Sequence, residues 1–120
     1  MNKTLHLPLK AKWYEMIESG VKTEEYREIK PYWVKRLLKD FPVYWRITLN
    51  ISTITNDFSA FEGKELHPVY THVKFSYGYT KRTMTFEIES ITIGKGKPEW
   101  GAPTKEVFII KLGKRIVRDK

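Results

Sequence analysis

The chain contains no cysteine, which excludes disulfides and thiolate metal sites. Histidine is nearly as scarce. His6, His67 and His72 are the only three, and no pair has the H-x-x-x-H spacing of a helical metal motif. No metal and no other cofactor is therefore expected. Long apolar runs are missing too. The opening MNKTLHLPLKAK lacks the apolar centre of a secretory leader, and no stretch approaches membrane-spanning length. A cytoplasmic protein without membrane attachment is the expectation. What is present suffices for a folded core. Of 120 residues 41% are hydrophobic, with four Trp, seven Tyr and six Phe. That argues against disorder throughout and suits one compact domain over residues 1–120.

The charge balance is lopsided: 22 Lys and Arg against 14 Asp and Glu leave a formal charge of +8. A surplus of this size attracts polyanions through the long-range field and counterion release. The excess is locally clustered. Lys35, Arg36 and Lys39 share one segment, Lys95 and Lys97 flank Gly96, and Lys111, Lys114, Arg115, Arg118 and Lys120 crowd the C-terminal stretch.

Periodicity sets the element order. Leu5, Leu7 and Leu9 alternate with polar residues as in a half-buried strand, and Pro8 marks its end or a sheet edge. Trp13, Met16 and Ile17 follow helical i, i+3, i+4 spacing, and Ser19-Gly20 ends that helix. Pro31 opens a second helix with Val34, Leu37, Leu38 and Phe41 as its apolar stripe, and Pro42 stops it. Trp45, Ile47, Leu49 and Ile51 then alternate as a strand, and 53–69 reads as a long polar loop. Val73, Phe75 and Tyr77 form another strand, Gly78 a hairpin, and Met84, Phe86 and Ile88 the return. There the apolar phase slips to Ile91 and Ile93, so a β-bulge is expected near Glu89-Ser90. After a loop over 94–103, the run Val107–Leu112 reads as a strand covered on both faces. A strand, two helices and several strands without intervening helices imply an α+β fold with a mixed or antiparallel sheet. A small β-barrel with two N-terminal helices packed beside it fits this order.

The chemistry concentrates in SGVKTEEYRE, residues 19–28. In an extended segment Glu25 and Arg27 share a face and can pair. Lys22 joins them only if the backbone turns after Gly20. Lysine supplies a point charge or a proton, arginine a planar fork for phosphate or a base edge, and the carboxylate between them an acceptor for a ligand's amino group. A surface ion-pair ladder, contributing little, would also fit this spacing.

Gly20, Lys22, Glu25 and Arg27 resemble the G-x-K-x-x-E-x-R signature of the ASCH domain family, whose fold is similar to the PUA-type β-barrel of RNA-binding modules. The likeness extends to the strand and tryptophan-bearing helix before the motif and to VFIIKLG at 107–113. It implies a cleft between barrel and helices that binds single-stranded RNA or a modified nucleotide. One branch that this chain resembles at Lys22 removes an acyl group from a modified cytidine, using a lysine, a threonine three residues later and a distant glutamate. Glu25 stands at the threonine position and Thr23 lies two residues off; Glu99 could supply the distant carboxylate. Ribonuclease activity is also associated with the family, and Lys22 with Glu25 would be its acid–base couple here. Trp100 and Tyr77 are candidates for stacking on a base, with Tyr79 beside Gly78 as a further one; each could instead serve packing. Three functions follow as expectations: RNA or nucleotide binding, a small hydrolase, or a basic face for an acidic protein partner.

Overall fold

The computed structural model describes residues 3–38, 62–63 and 65–117. The first strand, β1, spans Thr4–Leu9, and its leucines are buried while the residues between them face solvent. Helix α1 follows at Ala11–Glu18. Its deepest residue is Tyr14, which the expected stripe omits; Trp13 and Met16 are only partly covered. Strand β2 (Glu24–Arg27) and helix α2 (Pro31–Leu37) complete the N-terminal half. Proline at the start of α2 has no amide to satisfy, and Val34 and Leu37 are buried as their spacing requires. The helix ends before Leu38, which is buried but extended and bridged to Pro68, and the expected continuation to Phe41 and Pro42 lies outside the described residues.

The C-terminal half is a run of strands: β3 (Glu65–Leu66), β4 (His72–Tyr77), β5 (Thr83–Gly94) and β6 (Val107–Ile116). They form one sheet with β1 and β2 in the order β1-β4-β5-β6-β2, and β3 pairs with β5. Among the described strands β1 with β4 is the parallel pair and the others are antiparallel, so the sheet is mixed. Pro8 sits on β1 at one end of the order, where its missing amide leaves no ladder bond unmade. Among the described residues the sheet curls into a half-barrel whose ends, β1 and β2, are not paired with each other. The alternating run from Trp45 to Ile51, expected as a further strand, lies outside the described residues. The loop expected over 53–69 holds β3 within its described part. Two residues carry no period of their own, and their strand geometry comes from the β5 ladder.

The slip in β5 is real. Its register against β6 shifts on both sides of Ile88. The added residue keeps Met84, Phe86 and Ile88 on the same core side as Ile91 and Ile93, which a regular strand would turn outward. The first part of β6, Val107–Ile110, is covered on both faces, as its near-continuous apolar run suggests, while Lys111, Lys114 and Arg115 are exposed. Phe108, Ile110 and Leu112 join the main core with Tyr14, Ile17, Val34 and Leu37 of the helices. Val107 and Ile109 face a smaller cluster with Tyr26, Trp100 and Ala102. The motif strand β2 lies against this well-packed strand, and its register places Glu25 opposite Ile110 and Arg27 opposite Phe108. Cross-strand partners share a face, so both charged residues point to the main-core side.

Candidate functional site

The end of α1 delivers Lys22. Ser19 and Gly20 donate backbone hydrogen bonds to Glu15 O and Ile17 O, and Gly20 takes φ +87, the left-handed C-cap conformation. Lys22 N then donates to Met16 O at 3.0 Å. This reversal folds Lys22 back beneath α1 before β2 begins, which strand alternation alone would not do. The glycine was the signal for it.

Lys22 is interior: its side chain is 1% exposed. Its ammonium donates to Trp100 O at 2.5 Å, lies 3.1 Å from Glu25 Oε1, and stands 4.6 Å from the Trp13 ring and 5.2 Å from that of Tyr26. Glu25 is 8% exposed, and its Oε2 accepts from Arg27 Nη1 at 2.9 Å. Glu25 Oε1 is shut off from solvent; Lys22 neutralises it without a well-directed hydrogen bond, and among the described residues it accepts none. Arg27 Nη1 also donates to Tyr26 O at 2.6 Å, and its guanidinium carbon lies 5.4 Å from the Trp33 ring. The carboxylate thus bridges two cations, each covered by an aromatic ring. A surface ladder would leave all three in water.

Burial and charge oppose each other at Lys22. Burial, the larger influence, pushes its pKa below the ordinary lysine value, while Glu25 pulls it back up by charge and proximity and Arg27 lowers it again. The adjacent acids alone suggest that the charged form should be favoured; desolvation reverses the sign. Glu24, which looks like a solvated neighbour in the sequence, accepts from Tyr26 Oη at 2.8 Å, and that hydroxyl accepts from Lys97 N at 3.1 Å. Burial is the main reason that the Tyr26 hydroxyl is pushed well up. Glu28 stays at the surface between Lys30 and Lys105, whose hydrogen bonds hold its carboxyl below the usual range.

The expected ligand-facing set therefore divides. Lys22, Glu25 and Arg27 are brought together, but only Arg27, 19% exposed, reaches the surface. Lys22 and Glu25 form its buried anchor, and Glu25 is closed to a ligand's amino group in this conformation. Trp100 is buried in a short 3-10 turn, Pro98–Trp100, with Lys97 over its ring at 4.3 Å. It offers no open face for a base; its contribution is the carbonyl that receives Lys22. Glu99 is exposed and is not among the groups around the Lys22 ammonium. Tyr77 is engaged elsewhere, edge-on to Tyr14 at 5.3 Å and under Arg82 at 4.8 Å, with its hydroxyl donating to Glu15. These contacts tie the β4–β5 hairpin to α1 and give the half-buried Tyr77 a packing role. Tyr79 at the hairpin tip is fully exposed.

Two participants escape a motif-based reading. Trp13 roofs Lys22 and Trp33 flanks Arg27, yet both have helical spacing that reads as ordinary core. No local signal separates a core tryptophan from one that also covers a cation. Among the described residues no helix is long and apolar enough to cross a membrane. In comparisons with known proteins, no family model, no curated protein and no solved structure matches this chain.

Proposed function

We propose that this chain is an ASCH-type, PUA-like domain that binds single-stranded RNA or a modified nucleotide beside β2, with Arg27 as the ligand-facing cation. The supporting observation is how Arg27 is held. Its Nη1 is fixed by Glu25 Oε2 and Tyr26 O, and its guanidinium carbon lies 5.4 Å from the Trp33 ring. Among the described residues Nη2 and Nε make no hydrogen bond. A guanidinium held at Nη1 and partly exposed is a pre-organised fork for a phosphate or a base edge. The formal charge of +8 adds the long-range attraction.

Titrating a labelled single-stranded RNA at increasing salt tests this reading. Affinity should fall linearly on a log–log plot, and Arg27→Ala should weaken binding by about tenfold or more, the size of a hydrogen bond to a charged group. Lys114→Ala, which removes an exposed charge on β6, should cost much less. Absence of binding at low salt, or equal losses from the two variants, would overturn the proposal.

One observation favours a second reading, a small hydrolase. Burial pushes Lys22 toward the neutral amine that proton transfer requires. The same burial withholds it from a substrate, so this reading ranks second. Incubation with an N-acylated cytidine, followed by chromatography, separates the two. A product that disappears with Lys22→Arg supports the hydrolase; no product at high protein concentration rejects it.

A further inference from the structure

We infer that the ligand site continues from Arg27 along α2 as a stacking strip for one polynucleotide strand, an inference that rests on the nucleotide-binding reading above. The strip is a contact series. Arg27 lies against Trp33, Trp33 meets Tyr32 edge-on with centroids 4.8 Å apart and planes at 88°, and the Arg36 guanidinium carbon lies 6.0 Å from the Tyr32 ring. Cation, ring, ring and cation thus lead from the buried carboxylate to the surface.

The helix explains the geometry. Adjacent residues on a helix diverge, so Trp33 can lean on the core while Tyr32 leaves it; Arg36, four residues on, returns to the face of Tyr32. Trp33 packs partly against the main core, but Tyr32 is 59% exposed. At that exposure the ring is within reach of a ligand that stacks on it. Among the described residues the surrounding charge is positive: Lys30, Lys35 and Arg36 are exposed, and Glu28 is already shared between Lys30 and Lys105. An exposed ring flanked by cations suits a single strand, whose bases all carry a stackable face and whose phosphates recur along its length. A mononucleotide would use Arg27 alone. An acidic protein surface would use the cations without needing the ring.

The experiment compares, on the full chain, a mixed-sequence single-stranded RNA of about a dozen nucleotides with a mixture of the nucleoside monophosphates. The RNA should bind more tightly than the monophosphates. Tyr32→Ala should lower RNA affinity by about 5- to 150-fold, the range for loss of one base stack, and Tyr32→Phe should restore it. Arg36→Ala should reduce the salt slope by about one phosphate contact. Should monophosphates bind while RNA gains nothing, or Tyr32→Ala match Lys114→Ala, the strip is wrong and the Arg27 site still stands. Should neither ligand bind, both readings fall. An acidic peptide that binds with the same dependence on Tyr32 would overturn the assignment to a polynucleotide.

Discussion

Replacing Glu25 by Gln is expected to destabilise the protein by about 3–5 kcal/mol, the loss that follows when one partner of a buried ion pair is removed. The magnitude follows from burial on both sides, with Lys22 at 1% and Glu25 at 8% exposure. Glutamine keeps the shape but not the charge, so the Lys22 ammonium would remain interior with Arg27 nearby and no counter-ion. A pH dependence should accompany the loss. Lys22 already sits below its ordinary value in the folded chain. Between that lowered value and the unfolded value of about 10.4, the unfolded chain binds more protons, so stability rises with pH. Removing Glu25 takes away the main influence raising Lys22, which widens this window downward. The deficit of Glu25→Gln should therefore shrink as pH rises toward the folded-state Lys22 value of the unmodified chain. Urea unfolding of both proteins across that range checks it. A deficit that is small and does not change with pH would show that Lys22 and Glu25 are not confined together.

The second large effect is expected at Gly101, far from the motif in sequence but against its roof in space. Gly101 has φ +97, and a Cβ there would fall 2.9 Å from Cζ2 of Trp13, within the ring's own radius of contact. Gly101→Ala combines a left-handed backbone penalty of about 1–2 kcal/mol with overpacking of about 1–3 kcal/mol, giving about 2–5 kcal/mol in all. Part of that should be recoverable. In a Trp13→Leu background the ring is gone, and Gly101→Ala should cost only its backbone share. The double-mutant cycle measures the difference. If the two penalties simply add, the loop does not press on Trp13 as described. Because Trp13 also covers the Lys22 ammonium, near-ultraviolet dichroism of Gly101→Ala should report a disturbed tryptophan environment.

Both predictions concern residues whose partners are remote in sequence, and this divides what a linear reading could find. The β1 leucines, Val34 and Leu37 of α2, the hairpin at Gly78 and the bulge beside Ile88 were all legible, because period and phase are local properties of a strand or helix. Two-faced burial at the start of β6 was legible for the same reason: four consecutive apolar residues, Val107–Ile110, leave neither face polar there. Tyr14 and β3 were not. A tyrosine in a short helix has no mark of full burial, and a two-residue strand exists only through its partner. At the site, the pairing of Glu25 with Arg27 follows from alternation, and the turn that admits Lys22 follows from Gly20.

The residue types and their spacing along SGVKTEEYRE were enough to assemble two cations around one carboxylate, since strand alternation and a glycine-ended helix act over a few residues. Only the tertiary structure decided which of the three meets solvent, and it chose Arg27. That choice depends on Trp100 O, 78 residues beyond Lys22, and on the Trp13 and Tyr26 rings, which together enclose the ammonium. It also decided the direction of the Lys22 shift, because desolvation depends on everything packed around a charge, whereas the neighbouring acids that oppose it can be read directly from the chain.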